Sequence, residues 1–311
     1  MAVQLDLPPL VRQRALSGGA TGRRWLDGLP DLVAALSHRW GLELGDPYRG
    51  GTSGYVIAAV DGTGRPCVLK VAMPLDADEE QAFARSVRVH QVAAGRGCAE
   101  LLAHDAGARA MLLERLGPNL DELGLPLPHL LDAVATTLAS FWQPVDASVA
   151  ADLRTGPEQA AWLARHISTL WDELDRPCER AVVDRAVALC DERATAFDPA
   201  RAVLVHGDAH GWNTVDAGDG TFRLVDPEGL WSEPEHDLAV LMREYNEPLL
   251  AGDTPGLVRQ RAELLATNGD LDPQAVWEWG FVERVSTGLT CLRSFDGDDG
   301  LAFLEVARRC L

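Results

Sequence analysis

Val203-Leu204-Val205-His206-Gly207-Asp208-Ala209-His210-Gly211-Trp212-Asn213 opens as a β-branched, apolar run and turns abruptly into small, acidic and amide residues. A second run, Thr221-Phe222-Arg223-Leu224-Val225-Asp226-Pro227-Glu228-Gly229, repeats the pattern, an apolar strand that ends in an acid. An Asp- and Gly-rich turn, Asp216 to Gly220, separates the two. They read as a strand pair that points Asp208, Asn213 and Asp226 toward one spot. Oxygens of this kind are what Mg²⁺ accepts, and a further carboxylate nearby can orient a hydroxyl for attack on a phosphate.

Outward from this centre, the N-terminal part carries a complementary set. Arg49-Gly50-Gly51-Thr52-Ser53-Gly54 precedes a strand from Tyr55 to Val60, and Asp61-Gly62-Thr63-Gly64 turns into a second strand from Pro66 to Ala72. The loop is not a Walker A motif, since no Gly-Lys-Ser/Thr follows it. Nor is it a dinucleotide fingerprint, since a hairpin follows and not a helix. Lys70 stands inside Cys67-Val68-Leu69-Lys70-Val71, where an unpaired cation is costly. Either the strand is an edge with its ammonium in solvent, or the lysine grips phosphate beneath the Gly-rich loop. Loop, hairpin and lysine in this order match the ATP cradle of a kinase. The helix expected from Asp78 to Ala94 places Glu79 and Glu80 in its first turn. They either pair with Lys70 or complement the helix dipole.

Residues 1–24 mix Pro, Gly, Ser and Arg and read as a loosely tied arm, and Pro30-Asp31 opens a helix with Leu32, Val33, Leu36 and Trp40 at helical spacing. Strands are expected at Glu100 to His104 and Ala110 to Leu116, before Gly117-Pro118-Asn119 breaks the run. From there to residue 200 the periodicity is helical, and helices resume at Glu235 to Tyr245, Leu257 to Ala266, Pro273 to Leu292 and Leu301 to Leu311. The expectation is an α+β chain: a β-rich lobe over 1–113, a hinge at 114–117 and a helical lobe over 118–311 that holds the acidic segments.

Composition narrows the partners. The 311 residues are 47% hydrophobic and 24% charged, with a formal net charge of −19. That sign argues against nucleic acid and anionic membrane surfaces and accommodates a small cationic molecule. The six cysteines form no CxxC pair and no His-Cys cluster, no signal peptide is legible, and no uncharged stretch approaches the length of a membrane span. A cytoplasmic protein with reduced thiols is expected.

Asp208, Asn213 and Asp226, with Lys70 and the Gly50–Gly54 loop, are the parts of a phosphoryl-transfer site. One carboxylate stands by the acceptor hydroxyl, and an amide oxygen and a second carboxylate hold the Mg²⁺ that bridges the nucleotide phosphates. His206-Gly207-Asp208-Ala209-His210-Gly211-Trp212-Asn213, then Val225-Asp226-Pro227-Glu228 and Glu235-His236-Asp237-Leu238-Ala239, resemble the aminoglycoside phosphotransferase family. Trp25-Leu26-Asp27-Gly28-Leu29-Pro30, Leu69-Lys70-Val71-Ala72-Met73-Pro74 and Met111-Leu112-Leu113-Glu114-Arg115-Leu116 resemble its streptomycin 6-phosphotransferase and hydroxyurea phosphotransferase branch.

The resemblance implies a two-lobed, protein-kinase-like fold with Asp208 as base, Mg²⁺ on Asn213 and Asp226, and Lys70 on the α- and β-phosphates of ATP, or of GTP in its place. It further implies that the backbone of Glu114 and Leu116 holds the adenine, that Asp237 is a buried acid bracing the catalytic loop, and that His206 is structural. Family members often carry the lysine's acidic partner near position 86, where this chain has Ser86, which leaves Glu79 or Glu80.

A protein substrate is not expected. Where protein kinases carry a lysine this chain has His210, and Asp237 follows Asp226 too closely for an activation segment. Glu228, Glu233, Glu235, Asp237, Glu244 and Glu247 would line the side that receives a polycationic, hydroxyl-rich acceptor, or else form a solvated acidic face. Most of the tryptophans 212, 231, 277 and 279 read as core, with a sugar platform as the alternative. Three rival functions remain: metal-dependent hydrolysis on His206-x-Asp208-x-His210, an idle kinase-like binding module, and a metabolic kinase of an amino sugar.

Overall fold

The computed structural model describes residues 5–51, 54–74, 77–269, 271–294 and 299–311, with the side chains of 77–80 and 299 left outside. The chain forms two compact units, Met1–Gly117 and Pro118–Leu311.

The first unit comprises α1 (Pro9–Ser17), α2 (Gly19–Trp40), β1 (Glu43–Pro47), β2 (Gly54–Val60), β3 (Pro66–Ala72), α3 (Ala77–Ala93), β4 (Leu101–Asp105) and β5 (Ala110–Glu114). Its strands form one antiparallel sheet in the order β1-β2-β3-β5-β4. Because strand side chains alternate, the two faces of β3 have separate partners. Cys67, Leu69 and Val71 pack with Trp25, Leu29, Val33 and Leu36 of α2. Val68 and Lys70 point to the other face, in register with Leu113 and Met111, which pack with Phe83 and Val87 of α3.

The N-terminal arm is where expectation fails. Residues 9–17 and 19–40 are helical, and Pro30 lies inside α2 instead of opening it. Proline in a helix interior costs about 3 kcal/mol or more. Burying Trp25, Leu29, Val33 and Leu36 against the sheet contributes roughly 1.5–3 kcal/mol for each side chain, enough to carry the helix through.

The second unit comprises α4 (Leu127–Phe141), α5 (Ala147–Ala150), β6 (Arg154–Thr155), α6 (Gly156–Glu173), α7 (Arg180–Ala196), β7 (Val203–Val205), β8 (Thr214–Asp216), β9 (Phe222–Leu224) and β10 (Leu230–Ser232). It continues with α8 (Glu235–Arg243), α9 (Asn246–Leu250), α10 (Thr254–Ala266), α11 (Pro273–Ser294) and α12 (Asp299–Arg309). A capping box between Thr155 and Glu158 starts α6. Buried side chains of α6, α7, α11 and α12 make the core, and α11 lies at its centre.

The two acid-tipped runs are not neighbours in one sheet. β7 pairs with β10, which also takes β6, whereas β9 pairs with β8 across the 216–220 turn. Strands of three residues carry too little periodicity to reveal their partners. Among the described residues no helix is long and apolar enough to cross a membrane.

Candidate active site

The segment after β7 is fixed by backbone hydrogen bonds before any acid enters. His206 is fully buried; its Nε2 donates to the Val225 carbonyl (2.9 Å), so Nδ1 accepts the Asp208 N–H (3.2 Å). Burial holds its imidazole down to about 4, hence neutral. Asp237, with no exposure, receives the His206 N–H (2.8 Å), the Gly207 N–H (2.7 Å) and the Trp142 indole N–H (2.8 Å). Burial pushes its carboxyl up to about 6, and the three N–H groups pull the other way. Gly207 turns the chain at φ 90°, and a Cβ there would meet Leu230 Cδ1 at 2.7 Å. No other residue fits.

The turn delivers Asp208 into a ring of nitrogens. Arg243 Nη2 donates to its Oδ1 (2.7 Å), and His210 Nε2 stands 3.4 Å from Oδ2. Asn213 Nδ2 donates to the Asp208 carbonyl (2.9 Å) and reaches Oδ2 (3.3 Å). These bonds assign the Asn213 amide and leave its oxygen for another partner. Val225 N–H donates to the Asn213 carbonyl (2.9 Å), so Asp226 follows directly on a strand end tied to the same turn. Asp226 holds a left-handed backbone (φ 60°), a conformation that clusters at functional sites.

Loss of solvent works to raise the Asp208 carboxyl, but the His210 hydrogen bond and the Arg243 charge overturn it and hold the group well below the usual carboxylate range. His210 is moved upward: burial opposes its charge, and the Asp208 hydrogen bond more than offsets that. Asp208 is therefore an ionised, oriented acceptor at neutral pH.

The six acids proposed for an acceptor face separate. Glu233 binds Arg193 (2.6 Å) and the Trp279 indole (2.6 Å), and Glu235 binds Arg201 (2.7 Å), both inside the unit. Asp237 braces the loop, Glu244 meets Arg243 (3.2 Å), and Glu247 is exposed elsewhere on α9. Glu228 is different. Its N–H donates to the His206 carbonyl (2.9 Å), it packs over Gly207, and its exposed carboxylate has no hydrogen-bond or ion-pair partner among the described residues. Lost hydration first, then the charges of Asp208 and Glu283, push its carboxyl upward, a shift that its solvent exposure tempers. Of the four tryptophans, Trp212 is 58% exposed on the turn between His210 and Asn213, whereas Trp279 is buried.

In the first unit, Lys70 is 8% exposed on the α3 face, not on an edge strand, because β3 lies between β2 and β5. Gly54 begins β2 against β3, where a Cβ would strike the Val71 carbonyl at 2.4 Å, and Gly51 adopts φ 89° beside Gly50. Glu114 ends β5 with its N–H on the Glu100 carbonyl (3.0 Å) and its carboxylate on the Glu100 N–H (2.7 Å); half-buried Leu116 follows. Thr52 and Ser53 lie outside the described residues, as do the side chains of Glu79 and Glu80.

Sequence reading missed Arg243 and Glu283. Arg243 Nη1 donates to Glu283 of α11 (2.9 Å), which is 8% exposed at its side chain. The available signal was a charged residue closing α8, whose preceding residues are all buried. The His/Asp metal cluster does not form: both His206 ring nitrogens bind backbone, His236 packs edge-on against Trp279 (4.5 Å), and no group of three or more His, Cys, Asp or Glu among the described residues could hold a metal.

A model of the aminoglycoside/hydroxyurea antibiotic resistance kinases matches residues 39–294. The chain is 29% identical over 300 residues to the hydroxyurea phosphotransferase of Kitasatospora aureofaciens, an alignment spanning 96% of this chain and 83% of that one. It is 29% identical over 300 residues to the streptomycin 6-kinase of Streptomyces griseus, with 96% and 93% covered. A solved spectinomycin phosphotransferase in complex with ADP and spectinomycin has the same protein-kinase-like fold, with TM-score 0.52, 14% identity, and 90% and 92% of the two chains covered. A β-sheet unit, a helical unit and an oriented Asp208–Asn213 turn thus stand on a chain that belongs to the aminoglycoside/hydroxyurea antibiotic resistance kinase family.

Proposed function

We propose that this phosphotransferase moves the γ-phosphate of ATP, with GTP as the alternative donor, to a hydroxyl of a cationic, streptomycin-like acceptor. The observation that carries the reading is the Asp208 carboxylate held between Arg243 and His210 beside Asn213. The acceptor oxygen forms a bond to the γ-phosphorus, the bond from that phosphorus to the β,γ-bridging oxygen breaks, and ADP leaves with the electron pair. Asp208 accepts the hydroxyl's hydrogen bond, aligns its lone pair and takes the proton late. A weak base suffices because the transition state is largely dissociative.

By their donor chemistry, Asn213 and Asp226 are the residues that would hold a magnesium ion. An amide oxygen turned from Asp208 and one carboxylate are the donors Mg²⁺ takes when substrate phosphates and water complete its shell. The ion would neutralise charge developing on the β- and γ-phosphate oxygens. Lys70 would grip the α- and β-phosphates, with Gly50, Gly51, Thr52, Ser53 and Gly54 over them and the backbone of Glu114 and Leu116 on the adenine. In this reading residues 1–113 serve the nucleotide, 114–117 are a hinge, and 118–311 serve the acceptor. Glu228, close enough to feel the Asp208 charge and with no hydrogen-bond or ion-pair partner among the described residues, would meet an ammonium or guanidinium of the acceptor.

The test is nucleotide consumption over a set of hydroxylated compounds, streptomycin first and hydroxyurea included, with Asp208→Ala as the control. Turnover of streptomycin that the variant loses is the expected result. Turnover of an amino sugar with no aminocyclitol accepted overturns the acceptor and keeps the mechanism. Magnesium-independent hydrolysis overturns both.

A further inference from the structure

Arg243 places a different carboxylate on each guanidinium nitrogen. Nη2 meets Asp208 Oδ1 at 2.7 Å, Nη1 meets Glu283 Oε2 at 2.9 Å, and Nε meets Glu244 Oε1 at 3.2 Å. The backbone behind it is pinned just as firmly. Arg261 Nη1 donates to the Glu244 carbonyl (2.6 Å), and Arg284, from α11, donates to the Met242 carbonyl and to Asn246 Oδ1. Both guanidiniums are buried and satisfy carbonyls that the end of α8 would otherwise leave orphaned. Arg243 therefore leaves a rigid helix end with its head group clamped by Glu283, and only its Nη2 reaches the loop.

That geometry matters because the terminal torsion of an aspartate is broad. On the other side of the carboxylate, Oδ2 has only the longer contacts with Asn213 (3.3 Å) and His210 (3.4 Å). The short bond from Arg243 sets the plane of the Asp208 carboxylate. We infer that Arg243, held in turn by Glu283, is a positioning residue for the transfer reaction, fixing which Asp208 oxygen is presented to the acceptor hydroxyl. The inference rests on the reading of Asp208 given above. Arg243 acts through Asp208, and productive geometry in such sites is a matter of about half an ångström.

The experiment is steady-state kinetics with the streptomycin and nucleotide pair on Arg243→Lys, Arg243→Ala and Glu283→Gln, alone and combined with Asp208→Asn, with nucleotide affinity measured by calorimetry. Arg243→Lys is expected to lower kcat about tenfold and Arg243→Ala about a hundredfold, the span seen when the support of a functional group is lost. The Michaelis constants and nucleotide affinity stay within about twofold, which a loss of general packing would not leave intact. Millimolar guanidinium restores part of the Arg243→Ala rate, and in the Asp208→Asn background Arg243→Ala costs nothing further. An Arg243→Ala enzyme as fast as the parent, or faster because Arg243 had restrained Asp208, overturns the inference. If Arg243→Ala does not fold, a folded Glu283→Gln with parental kcat overturns it equally. An Asp208→Asn enzyme with parental kcat instead overturns the underlying reading of Asp208, whatever Arg243 does.

Discussion

Asp208 and Asp237 flank the same turn, yet their surroundings push them in opposite directions. Asp237 has no exposure and its hydrogen bonds come from three N–H groups, so burial, with the Asp208 charge added to it, carries its carboxyl up to about 6. Asp208 is about a third exposed at its side chain, and a guanidinium with an imidazole holds it well below the usual range. At Asp237 burial outweighs the N–H groups, whereas at Asp208 the His210 hydrogen bond and the Arg243 charge outweigh burial. One carboxylate holds the backbone, and in the proposed function the other faces the acceptor.

Variants can break that division of labour. The largest expected effect is Asp208→Asn, which should lower turnover by about 10²–10⁴, the span of a lost acid–base group. Asp237→Ala should act first on stability. It strands the N–H groups of His206, Gly207 and Trp142, at about 1–3 kcal/mol for each buried donor left unmade, and urea titration measures it.

The pH dependence sharpens the contrast. A carboxyl raised in the folded state binds more protons there than in the unfolded chain, so the Asp237 contribution is full near pH 4 and falls as pH rises through about 6. The shift of roughly two units corresponds to about 3 kcal/mol. The stability gap between the parent and Asp237→Ala should narrow by that order between pH 4 and 7. The Asp208 contribution runs the other way, present above its unfolded value near 4 and lost as pH falls below it, so the gap to Asp208→Ala narrows on acidification. Equal slopes for the two variants would contradict the assignment.

The smallest effect is Trp212→Ala. An exposed ring contributes within about 0.5 kcal/mol to stability. A rise in the acceptor's Michaelis constant at unchanged stability would make the ring part of the acceptor side; no change would leave it a solvent-facing side chain.

The sequence carried the loop but not its support. Asp208 and Asn213 sit within one turn, so their spacing alone brings them together, and the period-2 pattern of 66–72 placed Lys70 opposite Leu69 correctly. Arg243 and Glu283 come from helices 35 residues beyond Asp208 and 40 further on, and only the packing of α8 on α11 joins them. Acid-rich composition at 228–247 suggested one binding face, but helix and strand geometry sent Glu233 and Glu235 inward to Arg193 and Arg201. The N-terminal helices were hidden by glycine and arginine between the buried positions of α2, a pattern whose meaning depends on the sheet it covers.

The central claim is that Asp208 directs phosphate onto an acceptor hydroxyl. Phosphorus NMR of streptomycin with magnesium and ATP tests it most directly, with the parent and Asp208→Ala run side by side. The account predicts a phosphomonoester signal growing with ADP in the parent and none in the variant, while both bind nucleotide alike. The same phosphomonoester formed by Asp208→Ala at the parental rate would contradict it.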